Sequence, residues 1–514
     1  MHSTALVSRL AMRARRLVLT IALGAGLIFT SSAPAFDFAD VTERARQLAA
    51  KPFRDEPPNL PSELQNLTYQ QYWDIRYKRD RHLWAGTRLP FEIAFFHRGS
   101  RFAHPVRINV VTADGVRQIK YDSHDFDYGA NKLDPKKLGA LGFAGFRVHY
   151  PVNTPKQKDE VVSFLGASYF RALGRGQRYG ISARGLAIDT ALMSGEEFPR
   201  FVEFWIEHPS PGSRDLKIYG LLDSRRVAGA YQFVVRPGAE TTIDVRSRLY
   251  PREKMEKLGI APLTSMYFFG ENQPSATEDI RPEVHDSDGL SVHAGTGEWL
   301  WRPLVNPRRL LVTSFTVANP QGFGLMQRDR SFNNYQDPHM RYELRPSVWV
   351  EPKDKWGEGR IELVQIPTPD ETNDNVVAFW VPAALPSKPP YSFEYRLRWQ
   401  SLTETKPPHA WIMQTRRGRA VTRKPDNTIG FTVDFVGPAL EYLAADARLD
   451  GIVTTEGNAE IVERTTFRNE ATDGWRIAFR VRRLDEKKPV ELRAYLTNGG
   501  EPMSEIWTYI LPPT

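Results

Sequence analysis

The chain has 514 residues, 69 lysines and arginines against 61 aspartates and glutamates, and no cysteine. Without cysteine no disulfide can form, so a small cross-linked scaffold is excluded and the fold rests on burial alone. The formal charge of +8 is dispersed rather than gathered into a stripe, and it falls to +4 once the four arginines of residues 1–35 are set aside, which argues against nucleic acid as a partner.

At the N-terminus Arg9, Arg13, Arg15 and Arg16 precede an apolar run from Leu17 to Phe29, which is too short to span a bilayer comfortably. Ala33-Pro34-Ala35 supplies the small residues that a signal peptidase reads. Residues 1–35 therefore read as an export signal cleaved after Ala35, with the periplasm as destination. Arg15-Arg16 followed by Leu17 resembles a minimal twin-arginine signal, but the flanking Ser and Lys are missing, so general secretion fits better. No later segment reaches 18 consecutive apolar residues.

Asp40 to Ala50 reads as a helix with Val41, Ala45 and Leu48 on one face, and Ser62 and Tyr69 open two shorter helical stretches. From Phe91 the period becomes two. Phe91, Ile93 and Phe95 alternate with polar or small residues, as do Val106, Ile108 and Val110. The pattern recurs at 201–206, 216–221, 231–235 and 241–245, and each is a strand with one buried face. A short helical insertion fits 132–138. Residues 384–390, Ala-Leu-Pro-Ser-Lys-Pro-Pro, read as a linker. Beyond it Tyr391 to Trp399, Ile429 to Phe435, Trp475 to Val481, Val490 to Leu496 and Ile506 to Leu511 are regular strands. The predicted fold class is all-β: a large N-terminal β-sandwich over residues 36–383, the linker at 384–390, and a smaller immunoglobulin-like β-sandwich over 391–514.

Chemistry is sparse in motifs. There is no phosphate-binding loop, no zinc motif, and no Ser/His/Asp arrangement around Ser194. Asp286-Ser287-Asp288-Gly289 looks like part of a calcium loop, but the bidentate Glu that should follow is missing, so no metal and no cofactor is expected. Arg184 and Asp189 read as a structural pair; residues 342–346 offer Tyr342 and Arg345 as donors to a cleft, with a surface pair of Glu343 and Arg345 as the alternative. Two stretches combine carboxylates with aromatics: 281–303, which includes Asp286, Trp299 and Trp301, and 370–375. Cleaving a glycosidic bond needs one acid to protonate the leaving oxygen and a second carboxylate to activate water. The competing reading is that these are turns, where Asp, Asn and Gly are favoured for backbone reasons. The 12 Trp, 19 Tyr and 28 Phe suit stacking on sugar rings as well as sandwich cores.

Residues 180–190, 194–201, 281–290, 297–303, 319–324 and 370–375 resemble the periplasmic osmoregulated glucan biosynthesis proteins G and D, and the likeness runs from Phe36 to the C-terminus. The resemblance implies the same two-sandwich fold and a role in making β-1,2-linked glucans with β-1,6 branches. It implies a membrane glucosyltransferase as a further partner and, by analogy with related members, an inverting β-1,2-glucanase activity. Carried over by motif, Asp374 is the general acid and Asp286 the general base acting on water through a relay. Tyr342, Arg345, Glu371 and Thr372 line that site. Trp299 and Trp301 are sugar contacts by residue type and position. Two other functions fit the same residues: a glucan-binding scaffold without catalysis, and a transglycosylase that adds branches.

Overall fold

Alternation of apolar and polar side chains makes this chain a protein of sheets. The structure, a computed structural model, describes residues 36–419, 426–444 and 446–513. The expected export signal and its cleavage after Ala35 lie outside the described residues. Phe38–Thr514 forms one compact unit. The first helix runs Phe38–Ala49, with Phe38, Val41 and Ala45 buried, two residues ahead of its expected start. Ser62–Gln65 and Tyr69–Trp73 follow; Thr68 and Gln71 close a capping box on the second. The expected insertion at 132–138 is a single 3-10 turn, Pro135–Lys137, with Asp134 accepting the Lys136 amide.

Among the described residues two large sheets form, of ten and fifteen strands, with a separate four-stranded sheet. The first sheet runs from Glu92–His97 through Phe143–Thr154, Gln157–Leu165, Tyr169–Ala172, Ser182–Arg184, Leu258–Ser265, Val376–Pro382 and Glu358–Gln365 to Leu311–Ala318. The second carries Arg107–Thr112, Arg200–Glu207, Leu216–Asp223, Val227–Arg236 and Thr241–Pro251 at one end. The two face each other through aromatic rings. Phe146 and Phe164 meet Phe204 edge-on, at 5.0 and 5.1 Å between centroids, and Phe170 meets Phe233 at 5.3 Å.

The expected linker at 384–390 joins the two sheets of the larger sandwich rather than two domains. It leaves Val376–Pro382 in the first sheet and enters Tyr391–Gln400, which pairs with Thr241–Pro251 on one side and Ser347–Pro352 on the other. Phe393, Tyr395, Leu397 and Trp399 belong to the larger core, so the strand expected to open the smaller domain sits in the middle of the larger one. The smaller sandwich begins near Ala410. It sets the four-stranded sheet (Trp411–Gly418, Thr428–Val436, Gly474–Arg483, Ala459–Asn469) against Asp450–Thr455, Val490–Asn498 and Ile506–Leu511, a four-on-three arrangement.

The second sheet runs on into the smaller sandwich, because Trp299–Pro303 pairs in parallel with Ile506–Leu511. Strands at this junction serve two cores by their period of two. Leu300, Leu325, Val348 and Val350 enter the larger core, while Trp301, Met326 and Trp349 enter the smaller. Among the described residues no helix is long and apolar enough to cross a membrane.

Candidate functional site

The end of the strand Leu258–Ser265 is the platform on which the two candidate carboxylates are mounted. The Asp286 amide donates to Met266 O at 2.8 Å, and the Asn375 amide donates to Ser265 O at 3.0 Å. Asn375, which is buried, pins its loop further. Its Oδ1 accepts the Tyr267 amide at 2.8 Å, and its Nδ2 reaches Tyr267 O and Ile366 O, each at 3.0 Å. Asp374, immediately before it, and Asp286 are thus held on consecutive carbonyls of one strand end.

Asp286 is buried and ion-paired with Arg345 Nη1. Arg345 follows the 3-10 turn Tyr342–Leu344, entered through a left-handed Arg341 at φ 50°. Its guanidinium carbon stands 4.2 Å from the centre of the Tyr342 ring. A Cβ on Gly180 would lie 3.0 Å from Arg345 Cβ, which is why glycine stands there in the 180–190 stretch. Burial, reinforced by the neighbouring Arg171 and Arg178, pushes Arg345 down to about 10, against the pull of Asp374. Arg345 is therefore the common neighbour of both aspartates. Tyr342 is fully buried, and among the described residues its hydroxyl has no hydrogen-bond partner. Burial first, and Glu371 next, push that hydroxyl up.

Asp374 is half-buried and faces Arg171, whose Nη2 stands 3.9 Å from its Oδ2. Burial pushes this carboxyl above the usual carboxylate range against three cations, Arg171, Arg345 and Arg184. Glu371 accepts from Arg281 Nη1 at 2.8 Å, and that arginine also meets Asp279 and Asp337. Thr372 is exposed, its amide bound to Asp370 Oδ1 at 2.8 Å. Glu371 and Thr372 follow the loop to its more exposed side.

Two expected contacts lie elsewhere. Trp301 is 3% exposed, packed in the smaller core beneath Arg328, 3.7 Å from its ring centre. Trp299, two residues earlier on the same face, stacks on His293 at 4.0 Å. Strand alternation sends both toward the smaller sandwich, and Trp301 also lines a polar cavity between the sandwiches. The expected pairs also change partners. Arg184 binds Glu196 at 2.7 Å, Asp189 binds Arg226, and Glu343 binds Arg341 rather than Arg345. Arg171 was not foreseen; the alternating strand Tyr169–Ala172 carries no motif that marks it.

The polar cavity, of about 310 Å³, opens where the sandwiches meet, between residues 267–288, 301–303, 328–334 and 412–415. Carboxylate oxygens of Glu271, Glu283 and Asp329 lie within 4.8 Å of one another there, a set that could hold a cation. His285 shares hydrogen bonds from Nδ1 with Gln327 Oε1 and from Nε2 with Glu283 Oε2, each at 2.9 Å, an arrangement that suits the imidazolium. Burial opposes that charge, but Glu283, Asp288 and Asp329 outweigh it and raise His285. Burial pushes Asp288 up to about 6 and Glu271 up to about 8. Asp288 Oδ2 accepts the Arg328 and Asp329 amides, each at 3.0 Å, and Asp286 faces Arg345.

Residues 36–511 match the family described as periplasmic glucan biosynthesis protein, MdoG. A glucans biosynthesis protein G from Ralstonia nicotianae is 59% identical over 502 residues, covering 96% of this chain and 99% of the relative. Proteins of the same name from Pseudomonas paraeruginosa and Serratia proteamaculans are each 50% identical, covering 98% and 95% of this chain, and 98% and 96% of those relatives.

Proposed function

Because the chain belongs to the MdoG family of periplasmic glucan biosynthesis proteins, we propose that it acts in periplasmic glucan biosynthesis as an inverting β-1,2-glucanase that trims the glucan backbone. On this reading the protein is exported, loses residues 1–35, and works on polymer supplied by a membrane glucosyltransferase. The observation that carries the proposal is the pair of aspartates on one strand end in opposite electrostatic settings. Asp374, raised by burial, is assigned the general-acid role, whereas Asp286 is held in an ion pair with Arg345. Acid and base roles call for two carboxyls in different surroundings, one raised by burial and one paired with a cation. Asp286 is too buried to meet a water on the sugar directly, so its proton arrives through a relay. Tyr342, whose ring packs on the Arg345 guanidinium that holds Asp286, is the neighbouring hydroxyl assigned to that relay. Arg345 orients both Asp286 and the Tyr342 ring, and Glu371 and Thr372 flank the acid. An inverting reaction leaves room for that water, with carboxyls roughly 6.5–9.5 Å apart or farther with a relay.

The test is incubation of the processed protein with linear β-1,2-glucan, following chain length and the anomer first released. Shortened chains carrying the α-anomer are expected, and Asp374→Asn should lower the rate by at least about 100-fold while glucan binding persists. No products, with equal glucan binding by both proteins, would establish the non-catalytic scaffold in place of the enzyme.

A further inference from the structure

The strand Tyr169–Ala172 turns Phe170 and Ala172 into the larger core, so Tyr169 and Arg171 stand on its opposite face. Arg171 is fixed at one end: its Nε donates to Ser182 Oγ at 2.6 Å, and Ser182 is fully buried. Its other end, Nη2, lies 3.9 Å from Asp374 Oδ2. That separation is an ion pair and too long for a hydrogen bond. Two further arginines act on Asp374. Arg345 is committed to Asp286, and Arg184 is committed to Glu196, with its guanidinium 5.4 Å from the centre of the Tyr169 ring. Tyr169 is the remaining titratable neighbour, itself raised by burial. Among the described residues, Arg171 is the one of these three cations with no other carboxylate to neutralise it.

We propose that Arg171 is a positioning residue that governs the charge state of Asp374 and, through it, the pH range of glucan cleavage. This rests on the assignment of Asp374 as general acid. A cation held against a half-buried carboxyl favours its ionised form, so Arg171 works against burial. It keeps the acid from becoming too weak to release its proton to the leaving oxygen. Removing the charge leaves burial less opposed: Asp374 ionises at still higher pH, and the alkaline limb of kcat/KM moves with it.

The experiment is a carboxyl ¹³C titration of Asp374 in the full processed chain, the signal assigned by its loss in Asp374→Asn, paired with the pH profile of glucan cleavage. Arg171→Met should move the midpoint up by about one pH unit and carry the alkaline limb with it. Arg171→Lys, which keeps the charge, should restore both. Arg171→Gln is the second neutral variant should Met disturb the strand. An unmoved midpoint in the neutral variants overturns the proposal whether or not glucan is cut. A midpoint that moves in a protein that cuts no glucan upholds the coupling and removes the hydrolase assignment instead.

Discussion

Replacing Glu271 by Gln should make this protein more stable in alkali and leave it unchanged in acid. Glu271 is 18% exposed, and its Oε1 accepts the Thr415 amide of the smaller sandwich at 2.7 Å. Burial first, and the charge of Glu283 second, raise it from 4.5 to about 8; the Thr415 amide, Arg416 and Gln414 oppose the rise. The folded protein therefore holds a proton that the unfolded chain releases near pH 4.5. The stability this proton contributes is fully present below that pH, declines above it, and is gone once pH passes about 8. At about 1.4 kcal/mol per pH unit, the interval sets a ceiling of about 5 kcal/mol. Glutamine keeps the acceptor for Thr415 and has nothing to titrate. Urea denaturation of both proteins from pH 5 to 9, in the presence of a chelator and at fixed ionic strength, reads the difference. The two should coincide at pH 5 and part by at least about 2 kcal/mol at pH 8.5, with the variant the more stable. A difference flat in pH, or a wild type that gains on the variant as pH rises, refutes the reasoning. The latter result would mean that Glu271 ionises more readily in the folded protein than in the unfolded chain.

Tyr342→Phe removes a buried hydroxyl that has no partner among the described residues, so thermal unfolding should change by less than about 1 kcal/mol while glucan cleavage falls at least tenfold; equal rates would take Tyr342 out of the relay. Gly289→Ala would place a Cβ 2.1 Å from Trp301 Cζ2, and since that ring is locked in the smaller core the variant should lose about 1–3 kcal/mol in chemical denaturation. An unchanged denaturation midpoint there would show that Trp301 is free to move and would reopen it as a sugar contact.

Strands were legible wherever one face is buried and the other wet, because the side-chain period then matches the solvent pattern. Thr428–Val436 and Gly474–Arg483 lie within a residue or two of their expected limits. The partner of a strand is not written in its own alternation. Tyr391–Gln400 shows the pattern that any half-buried strand shows, and the prolines before it mark a crossing between sheets as readily as a domain boundary. The surroundings of the tryptophans were hidden for the same reason. Trp301 lies against Gly289 and Trp349 against Gly322, and a glycine beneath a ring across strands is a packing device visible only once the register is known. The family resemblance supplied Asp286, Asp374, Tyr342 and Arg345 as one region, and the fold does gather them. Asn375, in the same stretch, proved to be the anchor that places Asp374, and Arg171 carried no sequence signal at all.

The short strand Val284–His285 separates two polar environments, and its alternation decides which residue enters which. Glu283 and His285 face the cavity between the sandwiches; Val284 packs beside Tyr342, and Asp286 turns to Arg345. Ser287 then closes the stretch on Ser265 through paired hydroxyls at 2.7 Å. Neutralising the cavity should therefore be felt as stability and neutralising the cleft as rate. The bridge between them is Gln327, which accepts from His285 Nδ1 and donates from Nε2 to His285 O at 3.0 Å and Tyr342 O at 3.3 Å. It holds Tyr342 by backbone and leaves the hydroxyl untouched, so charge in the cavity has no hydrogen-bonded path to the relay. Glu271→Gln should accordingly change the pH dependence of unfolding while leaving the alkaline limb of cleavage where wild type has it. A limb that moved with it would show that the two aspartates and the cavity titrate as one system.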